Sequence, residues 1–276
     1  MFQTAVTVSL VSQARGGPFV FWDDLPLAAA KAAELGFQGI EIFAPNGETL
    51  KQLELPKLLE KHGLKLAAVG TGAGWLIHRL TLCDPERSRR QTACDFVRHI
   101  IDAGGPLGAP AIVGSMQGRH GDGLEPEAAR ENLRESLNAL AAHARGYGVP
   151  LLYEPLNRYE TNLATTQLAG VDLISQGGRL SPTECNLRIL ADLFHMNIEE
   201  VDLAATLRAL GPWLGHLHFV DSNRRAAGAG HLHYFPIFEA LRHLKYGGWL
   251  SAEALSLPDA VTAARQTIET FRRYNL

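Results

Sequence analysis

Cysteine is scarce in this sequence. The three present, Cys83, Cys94 and Cys185, form no Cys-x-x-Cys pair and no even set. That excludes a disulfide framework and a zinc-thiolate site and predicts reduced, cytoplasmic thiols. Long apolar runs are missing as well: no stretch of about 18 residues could cross a bilayer. The opening MFQTAVTVSLVSQARGG lacks the basic segment and long apolar core of a secretory leader. Positive charge is not in excess, with 26 Lys and Arg against 29 Asp and Glu and a formal net charge of -3. This argues against a protein whose main affinity comes from neutralising phosphate backbones. There is no Pro/Ser-rich linker, composition break, low-complexity segment or close internal repeat. The expectation is a cytoplasmic protein that acts on a small molecule and binds neither nucleic acid nor membrane.

What is present is a repeated alternation. At 276 residues and 46% hydrophobic composition, the chain can bury a large core, as one α/β barrel or as two small domains. Short apolar runs suited to buried strands recur at residues 4–10, 39–43, 64–70, 111–114, 150–154, 187–193, 214–220 and 249–254. Between them lie stretches such as LPLAAAKAAELG, PERSRRQTACDFVRHIIDAGG and PEAARENLRESLNALAAHARGYG. Each has helical apolar spacing, Pro in the first turn and Gly at the end. Eight such units without a linker predict the α/β class and a single (β/α)8 TIM barrel over residues 1–276.

Active sites in that fold gather at the C-terminal ends of the strands. Strand five, VPLLYE, ends in Glu154; strand six ends in Asp192, with His195 just beyond; strand seven holds His216 and His218; strand eight, WLSAEAL, holds Glu253. A strand-end carboxylate is often only a cap or a solvated loop residue, but four polar groups converging on one mouth cannot all be left unpaired. Three carboxylates and an imidazole from Glu154, Asp192, His218 and Glu253 call for a divalent cation, and so oxygen-rich a set suits Mn, Mg or Co. His216, two residues before His218 on the same face, is expected deeper in the barrel, as a core or supporting histidine. Glu41 is equally compatible with a hydrogen-bonding role at the barrel mouth and a purely structural one. His62, His99, His143 and His243 fall in helical patterns and are expected at the surface. Phe19, Phe21 and Trp22 fit simple loop packing, with a pocket wall as the alternative.

The segments EPLNRYET (154–161), ADLFHMNIEE (191–200), GHLHFVDSNRR (215–225) and YGGWLSAE (246–253) resemble the xylose isomerase-like barrels, and among them the ketose 3-epimerases of the tagatose/psicose (allulose) type. The resemblance implies a divalent-metal-dependent sugar epimerase that inverts carbon 3 of a ketose through an enediolate, with Glu154 and Glu253 as two bases on opposite faces. It implies one divalent ion, Mn2+ first with Mg2+ or Co2+ as alternatives, ligated by Glu154, Asp192, His218 and Glu253. Glu160, His195 and Arg224 would contact the substrate. A homodimer or homotetramer is expected on the same ground. Asp221 stands where Glu is frequent in those epimerases, and the loops SLVSQARGGPFVFWDD and GSMQGRHGDG are unlike theirs.

Two basic features keep a sugar phosphate open as substrate: Arg119 with His120 in a glycine-rich loop, and Arg224 with Arg225. The bland reading of both is a tight turn and a solvated side chain. The nearest enzymatic alternative is an aldose-ketose or sugar-phosphate isomerase of the hydroxypyruvate or inosose type. An abasic-site endonuclease would need several metals, extra histidine ligands and a basic groove. A non-catalytic sugar-binding barrel is the remaining class.

Overall fold

The structure is a computed structural model that describes residues 2–275. Eight parallel strands close into a barrel: β1 (Gln3–Ser9), β2 (Gly39–Phe43), β3 (Lys65–Gly70), β4 (Ala111–Val113), β5 (Leu151–Tyr153), β6 (Leu187–Asp192), β7 (Leu214–His218) and β8 (Trp249–Ala252). Each pairs with its sequence neighbour, and β8 returns to β1 with Thr4 opposite Leu250 and Val6 opposite Ala252. A two-residue strand, Phe21–Trp22, adds to β1 outside the barrel. The predicted (β/α)8 architecture is the one observed, and strand ends differ from the sequence expectation by one or two residues. No helix among the described residues is long and apolar enough to cross a membrane.

Local chemistry explains the ring of helices. Helix Leu25–Leu35 is capped by Asp24, whose side chain accepts from the Leu27 N–H, and ends at Gly36 with φ 91°, a conformation that favours glycine. The long helices Arg87–Gly104 and Pro126–Arg145 bury one apolar face against the strands and expose the other. Most of the core therefore lies between strands and helices.

Inside the barrel a smaller apolar cluster of Ala68, Ile112, Leu152 and Leu190 is almost fully buried. Side chains along a strand alternate faces, so two residues beyond Leu152 and Leu190 come Glu154 and Asp192, facing the interior one layer nearer the mouth. His216 is paired with Leu190, and His218 with Asp192. The small apolar layer is thus a floor, and the residues above it are polar.

Candidate active site

Asp192 shows how a strand end becomes a site. It caps helix Leu193–Glu199, with Oδ1 accepting from the N–H groups of Phe194 (2.7 Å) and His195 (3.2 Å). Its other oxygen, Oδ2, lies 3.1 Å from His218 Nδ1. The cap and the site share one carboxylate. Around the same imidazole nitrogen stand Glu154 Oε1 and Glu253 Oε2, each at 3.5 Å. One donor atom from each of Glu154, Asp192, His218 and Glu253 lies within 4.8 Å of the others, a group able to hold a metal ion. The four residues that the sequence marks as ligands are brought to one place.

The electrostatics of this group fit a cation. Burial alone would lower the His218 imidazole, but the carboxylates of Glu253 and Glu41 and the contacts with Asp192 and Glu154 push it well above its ordinary value. Burial pushes the Glu253 carboxyl up to about 8, against the pull of His218 and Arg224 and with the repulsion of Glu154 and Asp192. Burial also works to raise Asp192, yet His195, His218 and Arg224 hold it well below the usual carboxylate range. Without a cation the cluster retains protons to reduce the repulsion among its carboxylates. Glu154 Oε1 is buried with no hydrogen-bond partner, an orphan acceptor aimed at this group. A divalent cation would satisfy that oxygen and replace the protons.

Glu154 is held by its surroundings. Gln117 Nε2 donates to the Glu154 carbonyl at 3.0 Å, and Tyr153 donates its hydroxyl to Gln117 Oε1 at 2.7 Å. A Cβ at position 114 would stand 2.4 Å from Glu154 Oε2, so any larger residue there would push that oxygen from its place. Nothing in the sequence singles out Gly114 among 27 glycines.

His195, Arg224 and Glu160 border the same cavity. His195 Nδ1 accepts from the backbone N–H of Asn157 (3.3 Å) and from its amide (2.7 Å), so in the neutral ring the proton sits on Nε2. That Nε2 is buried, has no hydrogen-bond partner and lies 3.9 Å from Glu154 Oε1. Arg224 donates to Glu253 Oε2 at 3.0 Å and to Glu160 Oε1 at 3.4 Å, and its guanidinium lies 4.7 Å from the centre of the Phe194 ring. Its Nε is also buried without a partner. Asp221 does not enter the site. Its carboxylate accepts from the N–H groups of Ser222, Gly228 and Leu232 and from the Tyr234 hydroxyl, tying down the loop that carries Arg224.

The cavity has a volume of 320 Å³, and its outer wall is largely apolar, with Phe19, Phe43, Trp75, Leu76 and Leu156 contributing. Phe19 stacks on Phe43, with ring centroids 4.6 Å apart. The pocket-wall reading holds for Phe19, whereas Phe21 and Trp22 stand outside the lining. Arg119 and Arg225 are exposed and also outside it; Arg119 donates to the Tyr159 carbonyl instead. Among the described lining residues Arg224 is the one arginine or lysine. None of His62, His99, His143 and His243 is buried.

Glu41 is a site residue whose role the sequence leaves open. It lines the cavity and accepts from His216 Nε2 (2.9 Å) and His218 Nε2 (3.1 Å). His216 is thereby the buried supporting histidine that its spacing predicts.

The family model described as xylose isomerase-like TIM barrel matches residues 29–274. A D-psicose 3-epimerase of Ruminiclostridium cellulolyticum is 29% identical over 242 residues, 83% of this chain and 80% of that protein. A hydroxypyruvate isomerase of Escherichia coli is 30% identical over 81% of this chain and 84% of its own length. Among solved structures, a D-allulose 3-epimerase from Methylomonas sp. superposes with a TM-score of 0.81 at 23% identity, covering 99% of this chain and 98% of that one. This last likeness concerns the fold.

Proposed function

Because the chain belongs to the xylose isomerase-like TIM barrel family, we propose that it is an isomerase, a divalent-metal-dependent epimerase that inverts carbon 3 of an unphosphorylated ketose. The observation that carries this reading is the placement of Glu154 and Glu253. They follow non-adjacent strands, β5 and β8, both border the cavity, and one oxygen of each stands 3.5 Å from the same nitrogen of His218. Inversion beside a ketone takes a proton from one face of a carbon and returns one to the other, which suits two bases that approach from different sides. Relatives with names such as D-psicose 3-epimerase support the choice of a ketose.

In this reading one glutamate removes the carbon 3 proton and the other, protonated, delivers a proton to the opposite face. The Nε2–H of His195 and the Nε–H of Arg224, both unsatisfied within the protein, donate to the sugar oxygens and fix the carbonyl end. Glu160 receives a hydroxyl at the rim. A divalent ion held by Glu154, Asp192, His218 and Glu253 supplies, when bound, electrostatic stabilisation of the negative charge that develops on the sugar oxygens. The imidazole among the ligands favours Mn2+ or Co2+ over Mg2+.

The lining also bears on phosphate. Arg224 is already engaged by Glu253 and Glu160, so a phosphate buried against the apolar wall would have no free cation. An unpaired buried charge costs roughly 3 kcal/mol or more, equivalent to ~10²-fold. A panel of free ketoses and ketose phosphates, assayed with added Mn2+ and separated by chromatography, tests this. Interconversion of a free ketose with its carbon 3 epimer is expected, with kcat/KM for the matching phosphate lower by ~10²-fold or more. A preference for phosphates would refute the unphosphorylated substrate.

A further inference from the structure

We propose that Glu41 is a positioning residue: by accepting from the Nε2–H groups of both His216 and His218, it holds His218 with a bare Nδ1 facing Glu154, Asp192 and Glu253, and so sets the affinity of that cluster for a divalent cation. The inference rests on the metal-dependent reading above. Glu41 lies within β2, is 4% exposed, and stands 175 and 177 residues from its two partners in the chain. Nothing in the proton transfer just described uses it. Yet each of its oxygens has its own imidazole, Oε2 with His216 Nε2 and Oε1 with His218 Nε2.

A carboxylate only accepts, so both Nε2 atoms must carry the hydrogen. In neutral His218 this strips Nδ1 of its proton and turns its lone pair toward three carboxylate oxygens at 3.1, 3.5 and 3.5 Å. That arrangement repels itself unless a cation stands among the four atoms. The opposite tautomer would aim an N–H into the cation position, where Asp192 Oδ2 would accept it, and would set a bare Nε2 against Glu41. Glu41 thus favours the tautomer that can bind metal over the one that closes the site. His216 in turn orients Glu41: its ring is set 5.7 Å from that of His218 at 89°. Its Nδ1 is buried with no partner, so its contribution runs through Nε2. Such outer partners of a ligating histidine typically contribute 10- to 100-fold in metal affinity. Glu41, His216 and His218 also lie close enough to form a second ion site of their own, which is the competing account of the same geometry.

The test titrates Mn2+ calorimetrically into metal-free full-length protein, as wild type, Glu41→Gln and His216→Phe. It also records histidine N–H signals by 1H–15N NMR in the Mg2+-loaded proteins. The proposal expects one ion per chain in wild type and an affinity about 10- to 100-fold weaker in Glu41→Gln, with a smaller loss in His216→Phe. It expects exchange-protected Nε2–H protons on His216 and His218 in wild type, and loss of the His218 signal in Glu41→Gln. Unchanged affinity together with an unchanged His218 signal would overturn it. Two ions in wild type and one in Glu41→Gln would overturn it as well, by making Glu41 a ligand. If Glu41→Gln does not fold, His216→Phe decides alone, weaker binding supporting the proposal and wild-type binding overturning it. A wild type that binds no ion would refute the metal-dependent reading itself, a result distinct from a failure of Glu41 alone.

Discussion

Glu154→Gln and Glu253→Gln are each expected to lower turnover by ~10²-fold or more at saturating Mn2+, the usual cost of losing a placed general base. Gln keeps the size of the side chain and one oxygen able to face a cation, but it cannot take up a proton. The fold should survive both changes. Glu253 is half-buried and desolvation pushes its carboxyl up to about 8, so near neutral pH the metal-free protein already accommodates an uncharged group there. At position 154 the amide still fits above Gly114, where the absence of a Cβ leaves the space. Circular dichroism should be unchanged, and Mn2+ saturation must be verified separately so that weakened binding is not read as lost chemistry. If either variant turned over the true substrate at a near-normal rate, that residue would not be a base.

Removing the cation should act on both activity and stability. Chelation is expected to abolish turnover and to lower the melting temperature by several degrees, because an ion at 100 times its Kd stabilises the folded chain by about 2.7 kcal/mol. Proton uptake should accompany it. Without the ion, His218 is pushed well above its ordinary value and Glu253 up to about 8, so both recover protons at neutral pH. Differential scanning fluorimetry with and without chelator measures the first effect, and calorimetry in buffers of different ionisation heat measures the second. A melting temperature and proton count that ignore the chelator would place the divalent ion elsewhere or nowhere.

Much of this molecule is legible in its sequence because the fold couples position to chemistry. A barrel strand buried on both sides reads as a short apolar run, and the polar residue that ends it has only the barrel mouth to face. Glu154, Asp192, His218 and Glu253 were marked in that way, and the structure gathers all four. Strand ends were blurred by one or two residues, since Asp192 closes β6 and begins the next helix with the same side chain. The support behind the site was much harder to read. Glu41 meets His216 and His218 only through barrel closure, across 175 and 177 residues, and no local pattern records such a pairing. Gly114 matters for what it lacks, and Trp75 and Leu76 reach the cavity from a six-residue helix, Ala73–His78, whose brevity leaves little periodicity to detect. The surroundings of the basic residues near the mouth were equally hidden, because sequence alone does not show that Arg119 turns to a backbone carbonyl or that Arg224 is held by two glutamates.

The central claim is that two bases work on carbon 3, and the position of solvent hydrogen in the products tests it most directly. Incubated with Mn2+ and its ketose in deuterated water, the enzyme is expected to place deuterium at carbon 3 of both epimers, as detected by NMR, since a base on either face exchanges its proton with solvent between turnovers. Proton transfer between carbons 1 and 2 is the chemistry of the aldose-ketose isomerase alternative, and it would leave carbon 3 untouched. Deuterium confined to carbon 1, with an aldose accumulating, would contradict the epimerase and assign Glu154 and Glu253 to an isomerase instead.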